Sequence, residues 1–340
     1  MTRQEPHPSD ESLSHYSQKI FHQIPNTFAQ TIARVKTFVL QEFDREIATK
    51  QLYYHTREHI KNVQHRANVI FQAIYPLWKA SLADKTASDY LARMHLLLEL
   101  CAVAHDMVQI FIPPTQPHTS RRREAGVSET LTIQKLLDYI QGLNHQLKEH
   151  HVDESARFTD ADLSIIQEAI ATTICTYDSV EQTIYQPALY NSDKPISPVA
   201  RILALADIGA LGLEGIASYN QEGSLLFLEE NPDIIPLLMN NKVEALASDN
   251  LELYENIRQR LLKRARFQVN FAKSRLNRCV RELEDLPGES TLILTREVFQ
   301  YLNAKTIQEL ELTTPTDEDT PLEALVSFFK LDEYISSVVQ

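Results

Sequence analysis

Two short stretches of the sequence concentrate side chains that can bind metal ions. The first, Tyr53–Ile60, contains His55 and His59, and the second contains His105 directly followed by Asp106. Histidines at positions i and i+4 of a helix lie on one face, one turn apart. Imidazole and carboxylate groups together are the usual ligands of divalent transition metals. The two stretches therefore predict a metal site, provided that the fold brings them together.

The neighbours of two acidic residues indicate that their carboxylates are buried. Asp106 follows the apolar run Leu100–Ala104, and Asp207 lies inside the apolar segment Ile202–Ile208. Burying a carboxylate without a counter-charge is costly, and a cation is one way to offset that cost. Each acid alone could equally form a structural salt bridge. Together with the histidines they favour one divalent ion, with Mn²⁺, Fe²⁺, Zn²⁺, Co²⁺ or Ni²⁺ preferred over Mg²⁺ because of the nitrogen ligands.

The spacing of apolar residues around these positions predicts an all-α protein. The chain has 340 residues and only 7 glycines, fewer than a strand-rich fold needs for its turns, and no segment shows a persuasive strand pattern. Ser88–His105 is apolar on nearly all sides, which is typical of the central helix of a bundle. The predicted helices are His15–Ile24, Phe28–Ala48 with Asn26 as N-cap, Thr56–Leu82, Ser88–His105, one from the Arg121–Arg123 run to Gly142, Thr159–Tyr177, Pro198–Ile208 with Ser197 as N-cap, Leu251–Leu286, Thr291–Leu312 and Leu322–Val338.

Composition and charge limit the domain organisation and the partners. We expect a helical domain over residues 13–285, with its motif core at 28–213, and a C-terminal helical extension over 286–340 that offers a surface for a homo-oligomer. The net charge of -13 argues against a nucleic-acid polymer or an anionic membrane as the main partner. The longest apolar stretches carry ionisable residues and the N-terminus lacks a signal peptide, so we expect a cytoplasmic protein with reduced cysteines.

The order His … His-Asp … Asp on successive helices resembles that of the HD-domain superfamily of metal-dependent phosphohydrolases. Tyr54-His55-Thr56-x-x-His59-Ile60 looks like the Tyr-His-x-x-x-His opening of its cyclic-nucleotide phosphodiesterase and small phosphohydrolase branches, and Ala206-Asp207 resembles the closing Asp motif. The resemblance covers about residues 28–213. It implies an HD-type helical bundle in which one metal ion is bound by four residues: His59, His105, Asp106 and Asp207. It also implies that Asp106 and His55 are catalytic, with His55 facing the substrate as a general acid.

These expectations lead to hydrolysis of a phosphoester, with a nucleotide as one candidate substrate. The chain has no histidine after His151, which favours one metal ion over the two that some branches hold. The loop Phe111–Ser120 is placed to overhang the His-Asp pair, and Glu124 or Glu129 is a candidate to orient a metal-binding histidine. The candidate phosphate ligands are Arg57, Lys61, Arg121, Arg122 and Arg123.

Two alternatives remain open at the level of sequence. His55-Thr56-Arg57-Glu58-His59 also fits the H-x-x-E-H pattern of metallopeptidases, in which Glu58 would be the base. That assignment leaves His105, Asp106 and Asp207 unexplained. The second alternative is a non-catalytic HD-like protein that binds a metal or a nucleotide as a regulatory ligand. The helices after residue 245 favour it, since they look like an added surface for partners.

Overall fold

A computed structural model describes residues 24–82, 86–191, 193–239 and 243–338 of the chain. Within these ranges the protein is all-α, as predicted, with one short two-stranded hairpin. The helix predicted at His15–Ile24 lies outside the described residues except for its last residue. No helix in the described ranges is long and apolar enough to cross a membrane.

Residues 28–207 form six helices around the predicted site. Their bounds are α1 Phe28–Lys50, α2 Arg57–Ser81, α3 Ala87–Ala104, α4 Val127–Glu149, α5 Asp160–Thr172 and α6 Pro198–Asp207, with short 3-10 segments at Glu154–Ala156 and Pro187–Tyr190. As predicted, α3 is the central helix: it packs against α1, α2, α5 and α6. Its end carries the His-Asp pair, so the site lies where these helices meet.

Polar side chains at the helix starts determine three of these bounds. Thr159 begins α5, as predicted, and forms a reciprocal capping box with Asp162. Ser197 caps α6 ahead of Pro198, also as predicted. The predicted N-cap of α1, Asn26, is wrong by one residue. Thr27 has the extended backbone that lets its hydroxyl accept from the Gln30 amide, at 3.3 Å.

The prediction that Thr159–Tyr177 is one helix with no strand nearby is wrong. Helix α5 ends at Thr172, and the chain continues into strands β1 (Thr176–Asp178) and β2 (Thr183–Tyr185), which pair antiparallel. The segment that leaves the helix is rich in β-branched and aromatic residues, which favour strands. The hydroxyl of Thr172 bonds back to the Glu168 carbonyl at 2.7 Å, a contact that competes with continued helix.

The Arg121–Arg123 run does not begin a helix, contrary to the prediction. Arg122 instead pairs with Ile112 in an isolated antiparallel bridge. Helix α4 begins only at Val127, after Gly126, whose φ of +81° is a conformation that suits glycine.

After residue 207, the described part of the chain forms more and shorter helices than the spacing of its apolar residues predicted. Its helices are α7 Ala210–Glu214, α8 Ile216–Glu230, α9 Ile235–Met239, α10 Val243–Asp249, α11 Leu251–Glu282, α12 Ser290–Ile293, α13 Ala304–Thr313, α14 Leu322–Phe328 and α15 Leu331–Val338, with a 3-10 turn at Pro232–Ile234 and a π-helical turn at Leu294–Val298. The predicted helices Thr291–Leu312 and Leu322–Val338 are therefore wrong in extent. Asn303 starts α13 afresh as an N-cap, and Lys330 has a φ of +48°, which ends α14.

Buried apolar side chains form two clusters. The larger draws on α1 to α6 and extends through α11 to α13, and includes Phe299 and Leu310. The smaller joins α8, α9 and α11 to α14 and α15, and includes Phe227 and Phe329. The boundary expected after residue 285 stays a prediction, but the helices beyond it contribute to both clusters.

Candidate metal centre

The four predicted metal ligands lie at or near the ends of three helices. His59 is in the first turn of α2, His105 and Asp106 directly follow the last residue of α3, and Asp207 is the last residue of α6. Three helix ends that meet can present side chains from distant parts of the sequence to one point. His55 departs from the prediction: it precedes α2 and does not share a helical face with His59.

These four residues come together as the sequence predicted. Each offers one nitrogen or oxygen atom, and the four atoms lie within 4.8 Å of one another. Asp106 Oδ2 is 3.1 Å from His59 Nε2 and 3.0 Å from His105 Nε2. Asp207 Oδ1 is 3.8 Å and 3.5 Å from the same two nitrogens. The group can hold a metal ion.

The hydrogen bonding of His105 supports this assignment. Its Nδ1 donates to the Ala102 carbonyl at 3.1 Å, so that Nε2 carries the lone pair whenever the ring is neutral. That Nε2 is buried and has no hydrogen-bond partner within the described ranges, although it faces two carboxylates. A buried lone pair left without a donor is what a metal ligand requires.

Two buried glutamines fix the carboxylates. The Nε2 of Gln109 donates to Asp106 Oδ1 at 3.0 Å, and the Nε2 of Gln186 donates to Asp207 Oδ2 at 3.3 Å. Each carboxylate thus keeps its other oxygen, Asp106 Oδ2 and Asp207 Oδ1, for the histidine side of the group. Neither glutamine was predicted, because an isolated Gln carries no signal in the sequence.

The two carboxylates create a field that favours positive charge at the centre of the group. Burial by itself would lower the pKa of His105, but Asp106 and Asp207 raise it well above its ordinary value. Burial would likewise raise the pKa of Asp106, whereas His105 and His55 hold it well below its ordinary value. A divalent cation and a proton compete for the same histidine nitrogen, so these carboxylates also favour metal binding.

His55 is held beside the group by an acid that the sequence analysis missed. Glu229, near the end of α8, accepts a short hydrogen bond from His55 Nδ1 through Oε1. Its Oε2 accepts from three successive backbone amides, those of Tyr53, Tyr54 and His55, each at 3.0 Å. His55 Nε2 is left facing Asp106 Oδ2 at 3.7 Å. Glu229 thus orients the ring of His55 through Nδ1, and Nε2 points towards the four-residue group.

Glu229 is a buried carboxylate that stays ionised. Burial would raise its pKa, but His55 and the backbone amide hydrogen bond lower it to about 2. The sequence does contain a signal for this residue, since Glu229 directly follows the apolar run Leu225–Leu228, much as the His105-Asp106 pair follows the run Leu100–Ala104.

Among the predicted phosphate ligands, Arg123 lies nearest the four-residue group. Its Nη1 donates to Gln109 Oε1 at 2.7 Å and is 3.9 Å from Asp106 Oδ1. About a third of its side chain, 34%, stays exposed, so the guanidinium has donors free for a ligand.

Three of the other predicted phosphate ligands are engaged elsewhere. Arg57 forms a bidentate ion pair with Asp44, and Lys61 forms an ion pair with Glu58 on the surface. Arg121 binds backbone carbonyls, and Arg122 is exposed. Their role in binding phosphate stays a prediction.

Two further sequence expectations find no support in the geometry. Glu58, the base of the metallopeptidase alternative, has an exposed side chain that pairs with Lys61. Glu129 is half-buried, with its pKa raised by burial, but neither it nor Glu124 bonds to the histidines. His105 uses the Ala102 carbonyl instead, and His59 Nδ1 has no partner in the described ranges.

Comparison of the chain with protein-family models, with curated proteins and with solved structures found no match. Its function must therefore be argued from the site.

Proposed function

We propose that the chain is a divalent-metal-dependent phosphohydrolase of the HD type that acts on a phosphoester, with a nucleotide as one candidate substrate. One observation carries the proposal: a buried group of two imidazoles and two carboxylates lies beside a third imidazole that a buried glutamate orients. A structural metal site has no need of that third imidazole. Hydrolysis needs both a site for the metal and a group that can supply a proton.

The donor set suits a borderline transition metal. His59 and His105 would contribute Nε2, and Asp106 and Asp207 one oxygen each. Two nitrogens and two oxygens favour Mn²⁺, Fe²⁺, Zn²⁺, Co²⁺ or Ni²⁺ over Mg²⁺, which prefers oxygen ligands only. When bound, such an ion would activate water and neutralise charge that develops on the phosphoryl oxygens.

The remaining residues divide the other tasks. Arg123, anchored by Gln109, would pair with a non-bridging phosphate oxygen through its free donors. His55 would give the proton on Nε2 to the leaving oxygen, while Glu229 holds Nδ1 and stabilises the charged ring. Gln109 and Gln186 keep the carboxylates from turning. The proposed ligand is a small phosphorylated molecule, and the homo-oligomer expected of the C-terminal helices stays a prediction.

The test is a release assay on a panel of phosphomonoesters, phosphodiesters and nucleotides with Mn²⁺-loaded protein. We expect turnover of at least one phosphoester, its loss in Asp106→Ala, and its retention in Asp44→Ala. Asp44 is the matched control because it is an aspartate that pairs with Arg57 at the surface.

Two outcomes would contradict the proposal. Turnover that survives Asp106→Ala would mean that the activity does not come from this group. Stoichiometric metal binding with no turnover of any phosphoester would favour the non-catalytic alternative, a regulatory protein that binds a metal or a nucleotide.

A further inference from the structure

Arg121 donates hydrogen bonds to backbone carbonyls at the C-terminal ends of two helices. Its Nη1 and Nη2 donate to the carbonyls of Lys50 and Gln51 at 3.1 and 2.8 Å, at the end of α1. Its Nε donates to the Glu229 carbonyl at 2.6 Å, and its backbone N–H donates to the Glu230 carbonyl at 2.8 Å, at the end of α8. The last carbonyls of a helix lack partners within the helix and carry partial negative charge. One guanidinium therefore satisfies both ends.

The two helix ends are the ones that carry the proposed proton donor and its partner. Gln51 opens the segment that leads to His55, and Glu229 is the acid that binds His55 Nδ1. The carboxylate of Glu229 also holds the amides of residues 53–55. The segment is thus attached to the end of α8 twice: directly by the Glu229 carboxylate, and through Arg121 by the Glu229 carbonyl.

The geometry of this contact requires an arginine. Only a guanidinium offers several donors in one rigid plane that can reach three carbonyls on two segments. The plane also lies over the ring of Phe111, 3.9 Å from its centroid, which fixes its orientation. These contacts direct the donors of Arg121 at the backbone, whereas those of Arg123, two residues on, approach Asp106.

We propose that Arg121 is a positioning residue for the His55–Glu229 pair and does not bind the substrate. This inference rests on the proposed function, because it gives His55 the role of proton donor. Arg121 sets the distance between the end of α1 and the end of α8, and so the placement of His55 Nε2 at the site. Small displacements of a catalytic group are sufficient to slow turnover strongly.

The first test is a double-mutant cycle between Arg121→Ala and His55→Ala in metal-loaded protein. We expect Arg121→Ala to lower kcat by about a hundredfold with KM and metal content unchanged. We expect no further loss when Arg121→Ala is added to His55→Ala, because two residues that act through one group are not additive. Arg121→Lys, which keeps the charge but not the planar set of donors, should show an intermediate loss. Arg266→Ala, which removes an exposed arginine that pairs with Glu318, should show none.

Two kinetic results would overturn the inference. A loss of the same size in the His55→Ala background would mean that Arg121 acts through something other than His55. A rise in KM with kcat unchanged would mean that Arg121 binds the substrate directly.

The second test does not depend on activity. NMR of ¹⁵N-histidine-labelled protein observes the Nδ1 proton of His55, assigned by its loss in His55→Ala. We expect this resonance to shift in Arg121→Ala and to stay in place in Arg122→Ala, and an unchanged resonance in Arg121→Ala would overturn the inference. If no phosphoester is turned over, the proposed function fails, while this measurement still decides whether Arg121 positions His55.

Discussion

The Nδ1 partners of two histidines fit the different roles that we propose for them at the site. The Nδ1 of His105 donates a hydrogen bond to a neutral group, the carbonyl of Ala102. The Nδ1 of His55 donates one to the carboxylate of Glu229. A neutral partner fixes the tautomer and leaves Nε2 as a lone pair for a metal. A carboxylate also stabilises the imidazolium, which suits a ring that must carry and release a proton. The proposed roles of His105 as a metal ligand and of His55 as a proton donor therefore differ because of the group that each Nδ1 contacts.

Glu229→Gln should destabilise the fold at neutral pH. The pKa of Glu229 is lowered from 4.5 to about 2, because His55 and the amide hydrogen bond outweigh burial. That difference corresponds to about 3 kcal/mol of unfolding free energy, to be measured by urea denaturation. Glu58→Gln, at an exposed glutamate, is the control and should change the unfolding free energy by less than about 0.5 kcal/mol.

The pH dependence of this prediction has a definite sign. A carboxyl whose folded pKa is lowered contributes stability above its unfolded pKa, here near 4.5, and loses it as the pH falls towards about 2. The difference in unfolding free energy between the wild type and Glu229→Gln should therefore decrease progressively as the pH falls below about 4.5. A gap that is constant with pH would mean that the ionised carboxylate is not the source of the stability.

At the scale of elements, the site is made of helix ends, and the starts of some helices, but not all of their ends, are predictable. Residues such as Thr159 and Ser197 signal where a helix begins, and α3 was recognised as central from its apolar surface. These signals depend only on neighbouring residues in the sequence, so they can be recognised before the fold is known. The four metal-ligand candidates, which the fold does bring together, came instead from the resemblance of the His … His-Asp … Asp order to the HD-domain superfamily.

The contacts that determine the rest lie far apart in the sequence. Helix α8 was not predicted, because its interior contains Gly223, which disfavours helix. In the fold this glycine lies against the amide of Gln268 on α11, which a side chain at position 223 would displace. Without α8, Glu229 could not be placed next to His55, nor could Arg121 be recognised as a residue that joins two helices.

Thr159→Ala should weaken the start of α5 without affecting the metal site. Thr159 accepts from the Asp162 amide and completes a capping box, so its removal should cost about 1 kcal/mol of unfolding free energy. Thr37→Ala is the matched control. Its hydroxyl bonds back to the Ala33 carbonyl within α1, and alanine there should be neutral or slightly stabilising.

Chemical denaturation and metal analysis of both variants check this prediction. Equal losses in the two threonine variants would contradict the capping role of Thr159. Loss of metal in Thr159→Ala would mean that the start of α5 influences the site, which the structure does not predict.

At the scale of the whole molecule, the C-terminal helices are part of the body that carries the site. Helix α8 holds Glu229 at the site and contributes Phe227 to the smaller cluster. Phe329 of the C-terminal segment stacks with Phe227 in that cluster, with ring centroids 6.3 Å apart. The segment after residue 286 therefore packs against the helix that orients His55.

Two leucines of this segment give a matched test of its contribution. Leu325 is fully buried, at 0% exposure, whereas Leu312 is 79% exposed. Leu325→Ala should cost about 2 to 5 kcal/mol of unfolding free energy, and Leu312→Ala less than about 0.5 kcal/mol. Urea denaturation measures both, and a negligible effect of Leu325→Ala would mean that the C-terminal helices do not stabilise the fold.

The central claim is that His59, His105, Asp106 and Asp207 hold one divalent ion while His55 stays free of it. The most direct measurement is calorimetric titration of metal-free protein with Mn²⁺, for the wild type, Asp106→Ala and His55→Ala. We predict one site per chain in the wild type, none in Asp106→Ala and one in His55→Ala. A wild type that binds no ion, a site that survives Asp106→Ala, or a site lost in His55→Ala would contradict the claim.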